Sequence, residues 1–397
     1  MRILIVSSLQ AQTGTTVPEL VQLDSSIISF MKKWNIKEGT AALVKNERLV
    51  YARAFGNDSL NQQTQPSDLF RIASLSKPIT AIAIMKLVEE GKIKLEDQVF
   101  GTNGLLNDMQ YLKIIDERIL DITVRDLLQH TAGWDRDNSP DNDPMFNTEH
   151  IAEIMHSKMP VDNITIIRYM LQKKLDFTPG SDYAYSNLGY AILGRIIEKE
   201  SGVSYEQFVK VNVLYPLEIF DMQLAKNNTA SSSDSINNKS YNFFNGHYIN
   251  PCSGINLEAM DANGGWMATA SDLAKLLVAT DGSHTFPDVL SSYSIEVMTT
   301  TSKQNPSYGL GWFVNAKGNY WHTGSLKGTA AFMARLKNGM VGVLILSDRV
   351  ESKKFFSELD KLLWDGVKDV TYWPTTDLFQ RSNVVQNSST QKYLNTH

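Results

Sequence analysis

The sequence predicts a mixed α/β (α+β) fold: one antiparallel sheet built from both chain ends, flanked by N- and C-terminal helices, with a mostly helical region inserted between the two halves. Three observations predict it. Strand-type runs occupy Thr40 to Phe55 and then return only after Tyr308, at Tyr308 to Val314, Asn319 to His322, Thr329 to Leu336 and Met340 to Leu346. Helical apolar spacing dominates from Leu95 to about Ala279. Further helical patterns stand at either end, at Val17 to Lys33 and at Glu351 to Val367. The expected division is a sheet domain from 17–70 and 300–367, an insert from 71–299, a weak or clipped export signal within 1–16 and a polar tail over 368–397.

The elements follow in order. Val17, Leu20, Val21, Leu23, Ile27, Ile28 and Met31 recur at helical spacing, so Val17 to Lys33 is expected to be a first helix packed on the sheet. Two strands around Lys45-Asn46-Glu47, stopped by Gly56-Asn57, make a hairpin. Pro78 opens a helix over Ile79 to Glu90, and Gly91 closes it. Further helices are expected at Val124 to Leu128, Ile164 to Lys173, Leu188 to Glu200, Tyr205 to Val213 and Ala270 to Leu277. The polar stretches Asp135 to Pro144 and Asn227 to Tyr248 are long enough to be either functional lids or plain surface. Asn338-Gly339 marks a tight turn between the last two strands.

The chain has 397 residues, 42% of them hydrophobic and 20% charged, which is enough apolar content for a large core. A net charge of -5 with no basic run argues against nucleic acid or an anionic membrane as partner and favours a small-molecule ester, amide or peptide. No stretch is long enough to span a bilayer. The short apolar N-terminus suggests export or secretion, with a cytoplasmic or organellar location as the alternative. Cys252 is alone and reads as a small packing residue, and the histidines lack metal-ligand spacing, so neither metal nor cofactor is called for.

The chemistry concentrates in three segments. In Arg71 to Pro78, Ser74 and Lys77 stand three residues apart at a helix start, on one face of its first turn. Lys77 can take the Ser74 proton only if burial or a neighbouring cation lowers its ordinary pKa of ~10.4. Ser76 directly precedes Lys77 and cannot face it across a turn. Tyr185-Ser186-Asn187 follows Pro179-Gly180 at a turn before a helix. The Tyr185 phenol can share a proton with lysine, and the Asn187 amide can hold Lys77 and a substrate together. In the third segment, His322-Thr323-Gly324-Ser325 closes a strand. Gly324 there permits close backbone approach, and the amide of Ser325 can form an oxyanion hole with that of Ser74, each donor worth ~3 to 4 kcal/mol in the transition state.

These segments, in this order, resemble the class C β-lactamase and penicillin-binding-protein-like serine hydrolase superfamily, over roughly Val17 to Val367. The flanks Leu127 to Gly133, Gly264-Gly265-Trp266 and Tyr308 to Trp312 extend the likeness. The resemblance implies a β-lactamase/transpeptidase-like fold, with Ser74 acylated and Lys77 and Tyr185 moving protons. It makes Asn187 a substrate and lysine anchor and Ser325 the second oxyanion amide. His322 departs from the pattern, standing where β-lactamases usually carry lysine, as in the esterase, D-aminopeptidase and animal branches. A neutral imidazole is a poor receptor for a substrate carboxylate, so hydrolysis of an ester or small amide or peptide is favoured over strong β-lactamase action. Acyl transfer, weak β-lactamase or D-alanyl carboxypeptidase action, and a filament-forming structural role are the alternatives; the oligomeric state is left open.

Other residues read as structural. His130 is assigned to a helix end, where its charge suits the dipole. Tyr183 is a packing residue, Trp266, Trp312 and Trp321 are core or cleft-wall residues, and Asp135, Asp137, Asp141 and Asp143 form a solvated acidic loop.

Overall fold

The computed structural model describes residues 11–58, 61–138, 142–227, 255–283, 286–348, 352 and 354–379, with backbone alone at 242–244 and 247–249. The strands are β1 Gln12–Gly14, β2 Glu38–Lys45, β3 Arg48–Gly56, β4 Phe70–Arg71, β5 Gln223–Leu224, β6 Asn242–Phe244, β7 His247–Ile249, β8 Trp266–Ala268, β9 Phe313–Val314, β10 Tyr320–Leu326, β11 Thr329–Arg335 and β12 Val341–Leu346. The helices are α1 Val21–Lys33, α2 Ser76–Glu89, α3 Val124–Leu128, α4 Thr148–Met155, α5 Asn163–Leu171, α6 Asn187–Ser201, α7 Tyr205–Val209, α8 Asp261–Gly264, α9 Ala270–Val278, α10 Ser292–Thr299 and α11 Phe355–Asp365.

Both chain ends build one antiparallel sheet of order β1-β3-β2-β12-β11-β10-β9. The halves join where β2 pairs with β12, Ala42 lying opposite Val343. Tight turns fix the register. Asn46 and Glu47 both take the left-handed conformation (φ 51° and 60°) that a two-residue hairpin with native twist requires, and Gly339 (φ 80°) serves the β11–β12 turn. Strand alternation sends Leu43, Phe332 and Leu344 to one face, where α1 and α11 cover them with Leu23, Ile27, Phe355 and Leu359. Ala42, Met333 and Val343 point to the other face, beneath α2 and α9.

The central helix α2 shows why its sequence carries no polar stripe: Ile79, Ala81, Ile82, Ala83, Ile84 and Met85 are all buried, because α6, α7, α8 and α10 pack around it. It begins at Ser76, two residues before Pro78, after a 3-10 turn over Ala73–Leu75.

Several expectations are corrected. The run from Tyr308 yields a strand only at Phe313–Val314, since Gly309 lies against the Met298 carbonyl and Gly311 turns the chain. The third motif does not close its strand, which runs on to Leu326. The helix expected through Val213 changes after Val209 to a single wider turn over Lys210–Leu214. The small sheet β4-β8-β5 has strands too short for alternation to reveal. The polar tail docks where it is described: Leu378 N–H donates to the Leu49 carbonyl, and Phe379 is buried. Residues 1–10, Cys252 and most of Asn227 to Tyr248 lie outside the described residues.

Candidate active site

Ser74 sits in the 3-10 turn that feeds α2, and Ala73 before it adopts φ +46°, a left-handed conformation uncommon for a residue with a Cβ. Ser76 holds that turn. Its hydroxyl donates to the Ala73 carbonyl at 2.7 Å and accepts the Trp266 N–H at 3.2 Å, so it is committed to structure.

Lys77, on the first turn of α2, is fully buried. Its Nζ lies 3.2 Å from Ser74 Oγ and 2.7 Å from both Asn187 Oδ1 and the Asn263 carbonyl oxygen. Burial drives the lysine well below its ordinary range; Arg136 pushes the same way and Asp143 opposes it. A neutral amine has two N–H donors and one lone pair. Two of the three neighbours are acceptors, so the lone pair is left to face Ser74.

Asn187 is the first residue of α6, after Ser186, which caps the helix. Its Nδ2 donates to Asp143 Oδ2 at 2.6 Å, so Oδ1 must face the lysine. Tyr185, just before that cap, lines the cleft beside Ser74, close enough for Ser74 to act on its phenol, and its ring lies 4.8 Å from Lys77 Nζ. Burial raises the phenol, which stays protonated at neutral pH. The Ser74 hydroxyl therefore lies between an amine and a phenol. Ser74, Lys77, Tyr185 and Asn187 converge on one point.

The third segment forms the facing edge. Gly324 packs so tightly on the turn before Ser74 that a Cβ there would stand 2.1 Å from the Ile72 carbonyl oxygen, so no other residue fits. Thr323 and Ser325 border the cleft. His322 also borders it, but as a neutral group. Its Nδ1 lies 2.7 Å from the Thr323 carbonyl, which can only accept, so the proton is on Nδ1 and Nε2 accepts from the Tyr308 hydroxyl at 3.3 Å. Burial, and Lys77 nearby, lower His322 to about 3.

His130 does not serve a helix dipole. It is buried, with φ +63°, two residues beyond the end of α3, and burial holds it uncharged. Its Nδ1 accepts the Ser186 N–H at 3.0 Å and its Nε2 meets the Tyr308 hydroxyl at 3.2 Å. Imidazole, phenol and imidazole thus tie the middle and third motifs together. Tyr308 lay in a segment already singled out, but nothing local in the sequence announced the bridge.

Of the two readings of the acidic loop, solvated surface or a contribution to the substrate mouth, the structure favours the second. Asp143 orients Asn187, and Arg136, whose guanidinium carbon is 4.7 Å from the centre of the Tyr185 ring, borders the cleft. The need of Asn187 for a fixed acceptor was the one signal pointing to such a partner. Asp141 is outside the described residues. Trp266 and Trp312 are core, and Trp321 stacks on Phe313 at 5.7 Å. The cleft over Ser74 has a volume of about 750 Å³, sufficient for a small organic substrate.

The Beta-lactamase family profile matches residues 23–368. The chain belongs to the Beta-lactamase family. Within the curated Beta-lactamase relatives, Penicillin-binding protein 4* of Bacillus subtilis (strain 168) is 26% identical over 335 residues, an alignment covering 80% of this chain and 69% of that protein. With other curated relatives the coverage falls to 62% of their length, so the chain spans about two thirds of the proteins it matches. Among solved structures, the D-amino acid amidase from Ochrobactrum anthropi SV3 superposes with a TM-score of 0.68 at 19% identity, over 90% of this chain and 100% of that one. EstCE1, a hydrolase with promiscuous acyltransferase activity, gives 0.68 at 18% identity, over 87% and 98%. The shared fold is that of β-lactamases and transpeptidases, and this Beta-lactamase family member is a serine hydrolase.

Proposed function

We propose that the chain hydrolyses an ester or small amide through a covalent acyl-enzyme on Ser74. The observation that carries this reading is the Ser74 hydroxyl set between a fully buried lysine with a depressed pKa and a protonated phenol. As Ser74 Oγ bonds to the substrate carbonyl carbon, its proton passes to Lys77 and the carbonyl oxygen becomes an oxyanion. The proton then moves by way of Tyr185 to the leaving oxygen or nitrogen as that bond breaks. Water attacks the acyl carbon in the second half, giving its proton back through the same pair and releasing the acid.

The oxyanion is assigned to the amides of Ser74 and Ser325. Leu326 and Thr329 close the β10–β11 turn, so by antiparallel alternation the next pair, Ser325 and Ala330, turns its amides outward, and that of Ser325 leaves the sheet on the cleft side. The uncharged state of His322 supports ester or amide cleavage over strong β-lactamase action, since β10 offers no cation at that position. The names of the similar solved structures, a hydrolase with promiscuous acyltransferase activity and a D-amino acid amidase, support the same direction.

Mass labelling with a fluorophosphonate, together with turnover of a nitrophenyl ester, tests the proposal. One adduct on Ser74 is expected, and Ser74→Ala should lose the adduct and about 10⁴-fold or more in kcat. Folded protein that neither labels nor turns over ester, or a Ser74→Ala variant that keeps its rate, would overturn it.

A further inference from the structure

Although the whole chain has a net charge of -5, the charged residues that line the cleft are, among the described residues, the cations Arg136 and Lys327; the two carboxylates near Arg136, Asp143 and Asp137, are not part of that lining. Arg136 lies 4.7 Å from the centre of the Tyr185 ring, which also stands 4.8 Å from the Lys77 Nζ that contacts Ser74, and both Arg136 and Ser74 line the cleft, so its guanidinium stands within one small molecule's length of the nucleophile.

That guanidinium is only loosely engaged. Among the described residues its carboxylate contacts are Asp143 at 3.4 Å and Asp137 at 3.7 Å, both beyond the 2.7–2.9 Å typical of a forked arginine pair. Asp143 Oδ2 is already held by the Asn187 amide at 2.6 Å. The Arg136 side chain remains about one-third exposed, 34%, and Phe146 beside it offers an apolar surface for a short hydrocarbon stem. On the opposite edge His322 is locked as a neutral imidazole by Thr323 and Tyr308.

We propose that Arg136 is a specificity-determining residue that selects substrates carrying a carboxylate, which it binds on the loop wall of the cleft rather than on β10. This rests on the reading of Ser74 as nucleophile and names the substrate class of that site: an ester or small amide with a second, anionic carboxyl group. A planar fork of donors beside a half-open apolar wall recognises such a group bidentately.

The test compares matched substrates on one enzyme, so that any influence of Arg136 on Lys77 cancels in the ratio. One pair varies the acyl side, nitrophenyl hemiglutarate against nitrophenyl valerate; the other varies the leaving side, 3-acetoxybenzoate against phenyl acetate. In at least one pair the anionic member is expected to be favoured in kcat/KM. Arg136→Gln should lower that preference by about 10- to 100-fold and Arg136→Lys should restore part of it. Binding of glutaric acid monoamide and of neutral valeramide to the Ser74→Ala protein, followed by calorimetry or NMR, gives a readout independent of turnover. Preferential binding of the anion that vanishes in Arg136→Gln supports the proposal even if wild-type protein hydrolyses nothing, an outcome that would sink only the nucleophile reading. Equal or undetectable binding of both amides, or an Arg136→Gln variant whose ratios are unchanged in both pairs, would overturn it.

Discussion

One wall of the cleft is carried by helices and the other by loops. Lys77 and Asn187 are the opening residues of α2 and α6, almost wholly buried, and each has its polar atoms matched to a partner at 2.6 to 2.7 Å. Arg136 and Phe146 stand on connecting segments, one-third and nearly half exposed, at 34% and 46%. The difference separates two tasks. Proton transfer needs reacting atoms held to a fraction of an ångström, which buried helix termini supply; choice of substrate needs side chains that solvent and ligand can reach.

The largest test of this contrast falls on the helical wall. Lys77→Met should keep the fold, since an apolar chain of similar length replaces a buried amine, yet lose about 10³-fold in kcat for a neutral ester. Lys77→Arg puts a permanent cation where the proposed base is neutral, has no lone pair to offer and should fall as far. Survival of activity in the arginine variant, read in the same nitrophenyl assay, would show that Lys77 acts by charge and not as a base.

The second test addresses the chain His130–Tyr308–His322, which ties the start of the helical wall to β10 across the cleft. Both imidazoles are uncharged in the fold, with His322 lowered to about 3, whereas in the unfolded chain they titrate near ~6.5. The unfolded state therefore binds more protons at mildly acid pH. The stability these groups contribute is complete above pH ~6.5 and is lost as pH falls towards their folded values. Denaturant titrations should show unfolding free energy dropping by about 1.4 kcal/mol per pH unit for each histidine below that point. His322→Gln should flatten roughly half of the slope, and an unchanged slope would mean that the imidazole is not held neutral.

The smallest expected effect tests cross-talk from the loop wall to the helical one. Arg136 lowers Lys77 and Asp143 raises it. In the proposed mechanism activity requires neutral Lys77, so the acid limb of the pH profile would mark its titration. Arg136→Gln should move that limb to higher pH and Asp143→Asn to lower pH, each by less than about one unit for partly exposed charges. Shifts in the same direction for both variants would break the electrostatic account and leave only a structural effect.

Ser74, Lys77, Tyr185 and Asn187 could be read from sequence because the information is local: a spacing of three on a helix turn, a phenol and an amide beside a cap. The hairpin at Asn338-Gly339 was legible for the same reason. Arg136 and Asp143 were not, since charged residues in a polar loop look alike whether they face water or a cleft. His130 was misread by a sound local rule, because its partner Tyr308 is 178 residues away and no helix-end argument contains that contact. The helices α4 and α10 escaped notice among polar neighbours.

The seam between β2 and β12 carries one more implication. Val343 is made about 300 residues after Ala42, so the sheet cannot close until the whole segment between them exists. Gly324, whose strand seats the turn before Ser74, belongs to that later portion. A nascent chain thus carries Ser74 through the synthesis of the whole helical insert without a finished crevice around it, and the crevice is complete only once the second group of strands has been made.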